Sequence, residues 1–307
     1  MSTYINLLAQ AQKLHKHNRQ GSFQTKRRYF EAFQRFLRFV ADEFKLQKLR
    51  NISGKHLHAY FDYLKEKGVA PATQKTDAAA IRFFHDKISD AKHKLPDNNE
   101  LKLERRQHGG DRSWDDLEVK RMIAECRAAN QEKWGSCIAI AHSAGLRIHE
   151  LMKLDTADAR RAIKTGFLDI IGKGGRPRHI PVSEAVLNEF EELLKVTNTG
   201  SKLFVPDDQP THLAIENLRD FIRTHREKVQ LPDSDANRKL DPHGLRYSYS
   251  QAEYTRLRST GLSDREARLK ISELLGHSRI SAANPYLSGL KNTKSQSESD
   301  GGGDDGG

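Results

Sequence analysis

Six side chains between residues 147 and 286 have types suited to gripping an anion and attacking it. Arg147 stands in Ala144-Gly-Leu-Arg-Ile-His-Glu-Leu151, where Gly145 permits a tight entry to a helix and Glu150, one turn on, can hold the guanidinium. Lys173 lies in the Gly-rich stretch Gly172–Arg178. No Ser or Thr follows that lysine and the spaced first glycine is missing, so a hairpin turn with Lys173 near its tip is a better reading than a phosphate-cradling loop. His243 and Arg246, three apart in Pro242-His-Gly-Leu-Arg-Tyr247, share one face of a helix. In Leu274-Leu-Gly-His277 the glycine suits a helix C-cap and presents His277 just past the end. Tyr286 closes Ser281-Ala-Ala-Asn-Pro-Tyr, a short helix start. Each has an ordinary reading by itself: a surface salt bridge, a solvated basic turn, a packed histidine or tyrosine. As a set they offer two permanently charged forks, groups that carry protons, and a phenol nucleophile.

These groups need a scaffold, and the sequence predicts one running from 113 to 294. Ser113-x-x-Asp116 opens its first helix in capping-box style. Two helices lead to a short β element, Phe167–Ile171 and His179–Val182, around the Gly-rich turn, and more helices follow from Ser183. Residues 22–106 read as helices throughout. Phe30, Phe33, Leu37, Val40 and Phe44 recur at helical spacing as a core stripe. Ser53 and Pro71 are start signals for two further helices. Residues 1–21 suggest an added amphipathic helix for protein contacts, residues 107–112 a linker, and residues 295–307 a polar tail too poor in apolar groups to fold. The fold class predicted is mainly α with a small β-hairpin, in two domains.

Net charge is +11 over 307 residues, and residues 1–106 hold 22 Lys and Arg against 11 Asp and Glu, which accounts for all of it. That field attracts nucleic acid backbones, in a salt-dependent way. Lys26, Arg27, Arg28, Arg35, Lys75 and Arg82 are its candidate contacts, with Arg176 and Arg178 in the later turn. Two cysteines build no disulfide framework or four-cysteine metal site. His15-x-His17 and His56-x-His58 are poor ligand pairs and read as surface residues. No cofactor or metal is expected. Neither a membrane-spanning apolar run nor a secretory signal is seen, and with only two cysteines the simplest compartment is a reducing cytoplasm.

Taken in order, Arg147, Lys173, His243-x-x-Arg246, His277 and Tyr286 resemble the active site of the tyrosine recombinase (phage integrase) family. The G-L-R-x-x-E-L, H-x-L-R and L-G-H segments are specific signatures of it, and the nine-residue step from His277 to Tyr286 matches its spacing. The resemblance spans residues 113–290, and residues 22–105 resemble the helical core-binding domain that precedes the catalytic domain. It implies a two-domain clamp around duplex DNA carrying specific recombination sites. It further implies a 3′-phosphotyrosyl intermediate and a homotetramer on synapsed DNA, monomeric or dimeric when free. Two departures stand out. The interval from Arg246 to His277 is longer by roughly two helical turns, with Ser263-x-x-Glu266 as a cap inside it. Little foldable sequence follows Tyr286, so the C-terminal helix that many relatives dock on a neighbour is short or absent.

The set suits phosphoryl transfer. Attack on a phosphodiester builds charge on the nonbridging oxygens, which Arg147 and Arg246 can take with forked hydrogen bonds. A phenol, with a reference pKa of about 10, is both nucleophile and fair leaving group. The resemblance makes Lys173 the general acid, His243 an assistant in proton transfer at the tyrosine, and His277 a hydrogen-bonding partner of the scissile phosphate. Integration or excision of a mobile element is the expected outcome. One alternative is a type IB topoisomerase-like enzyme, separated by plasmid relaxation against two-site recombination. The other is a non-catalytic DNA-binding accessory protein, which would leave no covalent adduct.

Overall fold

The computed structural model describes residues 3–21, 23–104, 110–172, 175, 177–232 and 238–290. It is mostly helical with one two-stranded sheet, and it divides into two compact units, Met1–Gln107 and His108–Gly307.

The first unit is built from α1 (Thr3–Lys16), α2 (Phe23–Phe44), α3 (Gly54–Glu66) and α4 (Pro71–His85). Pro71 occupies the first turn of α4, where a missing N–H goes unnoticed. Phe33, Leu37 and Val40 of the α2 stripe are fully buried, each contributing roughly 1.5–3 kcal/mol. Phe30 is partly buried. Phe44 departs from the expected stripe: at the last residue of α2 it is exposed, with its ring edge-on to His56. His56 corrects the surface reading given to it. It is 3% exposed, and its Nδ1 accepts the Ser53 amide at 3.0 Å to close the start of α3. His15 is likewise packed, stacked on Phe30 at 4.2 Å. Leu7 and Ala11 of α1 are buried in the same core as α2, so that face of the helix packs inside the unit, while Ile5 stays exposed.

The second unit begins with α5 (Asp116–Ala128) and α6 (Glu132–Ala144), followed by the single-turn α7 (Ile148–Leu151) and α8 (Thr156–Thr165). The cap of α5 falls two residues later than expected. Asp115 and Glu118 form the box, while the Ser113 hydroxyl donates to Asp111. Strands β1 (Phe167–Ile171) and β2 (Pro177–Pro181) pair antiparallel, with Leu168, Ile170, Arg178 and Ile180 turned inward. Then come α9 (Glu184–Lys195), α10 (Thr211–Val229), α11 (Pro242–Ser259), α12 (Asp264–Leu274) and a 3₁₀ segment, Ile280–Leu287. Ser263 and Glu266 cap α12 reciprocally. Among the described residues no helix is long and apolar enough to cross a membrane, and no group of three His, Cys, Asp or Glu is arranged to hold a metal ion.

Candidate active site

The site grows from the start of α11. Asp241 caps that helix by accepting the amides of His243 at 2.8 Å and Gly244 at 3.0 Å, with Pro242 in the first turn. One turn on, Arg246 is 0% exposed. Its Nη1 donates to the Gly145 carbonyl at 2.6 Å and its Nη2 to the Leu275 carbonyl. Gly145 ends α6 with φ +62°, and a Cβ there would fall 2.2 Å from the Tyr249 ring, so only glycine fits. Arg147, two residues later, sits at the N-cap of α7. Its amide and its Nη1 both donate to the Glu150 carboxylate at 2.9 Å.

Glu150 is the hub. It is 3% exposed, accepts Arg178 Nη2 at 2.6 Å, and lies 3.9 Å from Arg246 Nη1. Burial pushes its carboxyl upward, but the Arg147 amide and the three guanidiniums outweigh that and hold it below the usual range. Burial, then repulsion from Arg147, brings Arg246 down to about 10, which leaves it cationic at neutral pH.

Tyr286 lies in the 3₁₀ segment, 8% exposed, with the Arg246 guanidinium over its ring. The Arg246 Cζ stands 5.7 Å from its ring centroid; the rings of Tyr247, His243 and His277 lie at 4.8, 5.7 and 5.9 Å. Gln251 holds the Tyr286 carbonyl at 3.2 Å and Asp111 at 2.7 Å. His277 follows Gly276, whose φ is +71°. Burial, then Arg246, Arg147 and Arg178, drives the His277 imidazole down to about 4, so it is neutral at pH 7. Its Nε2 is buried and meets no hydrogen-bond partner among the described residues. Burial and Arg112 also lower His243.

Five of the six expected residues thus come together, and Lys173 lies outside the described residues, as does Arg176. Gly175 N donates to Gly172 O at 3.1 Å beside them. Arg178 corrects the expectation of a DNA contact. Alternation along β2 turns it inward to 7% exposure, and its amino groups are committed to Glu150 and the Leu274 carbonyl. In the first unit Arg82 is likewise diverted, donating to Pro96 O at 2.7 Å and to Asn98. Arg27 pairs with Glu31, Arg28 with Thr76, and Arg35 with the buried Asp77, all keeping exposed surface, while Lys26 and Lys75 are half-buried. Sequence reasoning missed a basic cavity of about 710 Å³ beside Arg147 and His243, lined also by Arg112, Arg219, Arg223, Arg226 and Lys239. The four- and three-residue steps between the α10 arginines were its available signal.

Known proteins bear on this constellation. The sequence profile of the phage integrase family matches residues 113–292, and that of the phage integrase N-terminal SAM-like domain matches residues 7–94. Tyrosine recombinase XerD of Halalkalibacterium halodurans is 24% identical over 295 residues, 93% of this chain and 94% of its own. Among solved structures, the XerH site-specific recombinase bound to a palindromic difH substrate is similar with TM-score 0.66 at 17% identity, over 95% of this chain and 84% of that one. The Tn1549 transposon integrase in complex with transposon right-end DNA is similar with TM-score 0.64 at 15% identity, over 96% and 99%.

Proposed function

Because the chain belongs to the phage integrase family of tyrosine recombinases, enzymes that break and rejoin DNA, we propose that Tyr286 is its nucleophile and Arg147 and Arg246 its phosphate clamp. The Tyr286 oxygen attacks the scissile phosphorus, the bond to the 5′-oxygen breaks, and a 3′-phosphotyrosyl link forms. Lys173 gives the departing 5′-oxygen its proton, His243 takes the phenol proton, and His277 Nε2 bonds a nonbridging oxygen. Rejoining runs the same step backwards from another 5′-hydroxyl, so no external energy source is needed. Removing one preorganised donor of this kind typically slows a reaction by about 10²–10³.

The observation that carries this reading is the meeting of Tyr286 with Arg246, His243 and His277 within 6 Å ring distances, with Arg147 joined through Glu150. The DNA-bound structures among its relatives support duplex DNA as the partner. The basic cavity lined by α10 gives a neighbouring phosphate its path, and the exposed cations of α2 serve the first unit. Exchange between two specific sites calls for four protomers on synapsed DNA, in the cytoplasm with the nucleoid. We assign the sites to a mobile element. Chromosome resolution is the second reading, favoured by the Xer recombinases among the relatives. Deleting the gene separates them: lost integration or excision supports the first, accumulated chromosome dimers the second.

The test is a nicked duplex that traps the covalent complex, with the adduct mapped by mass spectrometry. Tyr286→Phe abolishes the adduct while DNA binding persists. An adduct on another side chain refutes the assignment, and relaxation of plasmids without two-site exchange points to topoisomerase action instead.

A further inference from the structure

We propose that Arg178 is a positioning residue for strand cleavage, holding the Arg147 turn and the His277 turn in register without touching DNA. The inference rests on the cleavage reading above. Arg178 reaches two elements from a third. From β2 its Nη2 meets Glu150 at 2.6 Å, and Glu150 in turn fixes the backbone and guanidinium of Arg147. Its Nη1 meets the Leu274 carbonyl at 2.9 Å, three residues before His277. The next carbonyl, Leu275, is taken by Arg246. Two consecutive carbonyls at the end of α12 therefore end on two different guanidiniums, and the turn that presents His277 is pinned from both sides. Gly276 completes the fit, since a Cβ there would lie 2.4 Å from Arg178 Cδ.

A DNA-binding role conflicts with this geometry: at 7% exposure, with both amino groups committed, Arg178 has no free fork to offer a phosphate. A role limited to stability is also a poor account. A buried ion pair is often no more stabilising than apolar residues of the same volume, so what it adds is orientation. Arg178 supplies two directed bonds to two loops, which an apolar side chain cannot imitate.

The experiment compares full-length wild type with Arg178→Lys on two nicked duplexes, one with an ordinary scissile phosphate and one with a methylphosphonate there. The methyl group replaces a nonbridging oxygen and removes its charge, so less alignment of cations is needed in the transition state. Lysine keeps the charge beside Glu150 and cannot span both partners. Expected is a loss of about 100-fold in adduct formation on the phosphate, the scale of a small misplacement of reacting groups. On the methylphosphonate the loss shrinks at least about tenfold, and affinity for DNA is unchanged. Arg178→Met, which fills the same space with no donor for Glu150 or the Leu274 carbonyl, gives the same substrate pattern and decides the matter if Arg178→Lys does not fold. Equal losses on both substrates, or an affinity loss as large as the rate loss, overturn the inference. Absence of any wild-type adduct overturns the cleavage reading itself.

Discussion

Changing Glu150 to Gln keeps the shape of the hub and removes its charge. The carboxylate now faces three guanidiniums, at 2.9 Å (Arg147), 2.6 Å (Arg178) and 3.9 Å (Arg246), and it is almost wholly shielded from water. An amide offers one acceptor oxygen in place of two and points an N–H₂ at a donor. Taking one partner from a buried ion pair costs about 3–5 kcal/mol. In a unit of this size each kcal/mol is worth about 2–4 °C, so differential scanning calorimetry at pH 7 should show a drop of roughly 10 °C. The pH dependence supplies a second check. The folded-state pKa of Glu150 lies below its ordinary 4.5. Its contribution is therefore present in full above about 4.5 and fades as the pH falls through the lower folded value, because the unfolded chain takes up the proton first. The gap between wild type and variant should close as the pH is taken below 4.5, and added duplex, which brings negative charge to the arginines, should narrow it at pH 7. A melting temperature within 2 °C of wild type at pH 7 would refute the reasoning.

Two further outcomes follow from the same geometry. Without DNA, His277 should titrate near 4 by NMR. Since its ordinary value is 6.5, its contribution to stability holds above that and is lost as the pH falls toward 4. A bound phosphodiester should raise its pKa, and an imidazole titrating near 6.5 in the free protein would sink the picture of a buried histidine among arginines. Gly145→Ala must place a Cβ 2.2 Å from the Tyr249 ring at a φ of +62°. It should cost about 2 kcal/mol or more in urea unfolding and slow cleavage by unseating Arg246; a variant as stable as wild type would show that the turn is not under that constraint.

Much of the fold was legible because helical periodicity and caps are local. The α2 stripe, Pro71, the Ser263 box and the Gly276 cap all follow from residues within one or two turns of each other. The pairing of Arg147 with Glu150 was readable for the same reason, being an i,i+3 contact. What escaped were partners brought from afar. Arg178 reads as one more cation in a basic turn, and only the alternation of β2 places it beside Ile180 on the inner face. His56 looks like a surface histidine until Phe44 arrives to cover it. Asp115 displaced Ser113 as the cap because Ser113 is tied to Asp111, a competition between equally good capping residues that spacing does not rank.

The anchoring of Tyr286 through Gln251 bears on where this protein can be cut. Asp111 receives Gln251 at 2.7 Å, and a Cβ at Gly289 would come 2.4 Å from Asp111. Next door, Arg112 pairs with Asp241, the residue that starts the His243 helix. A fragment trimmed to begin at residue 113, where the family match starts, would lose the ties at both ends of that arrangement. One beginning a few residues earlier would keep them, and comparing the two for adduct formation would measure how far this short stretch steadies the tyrosine.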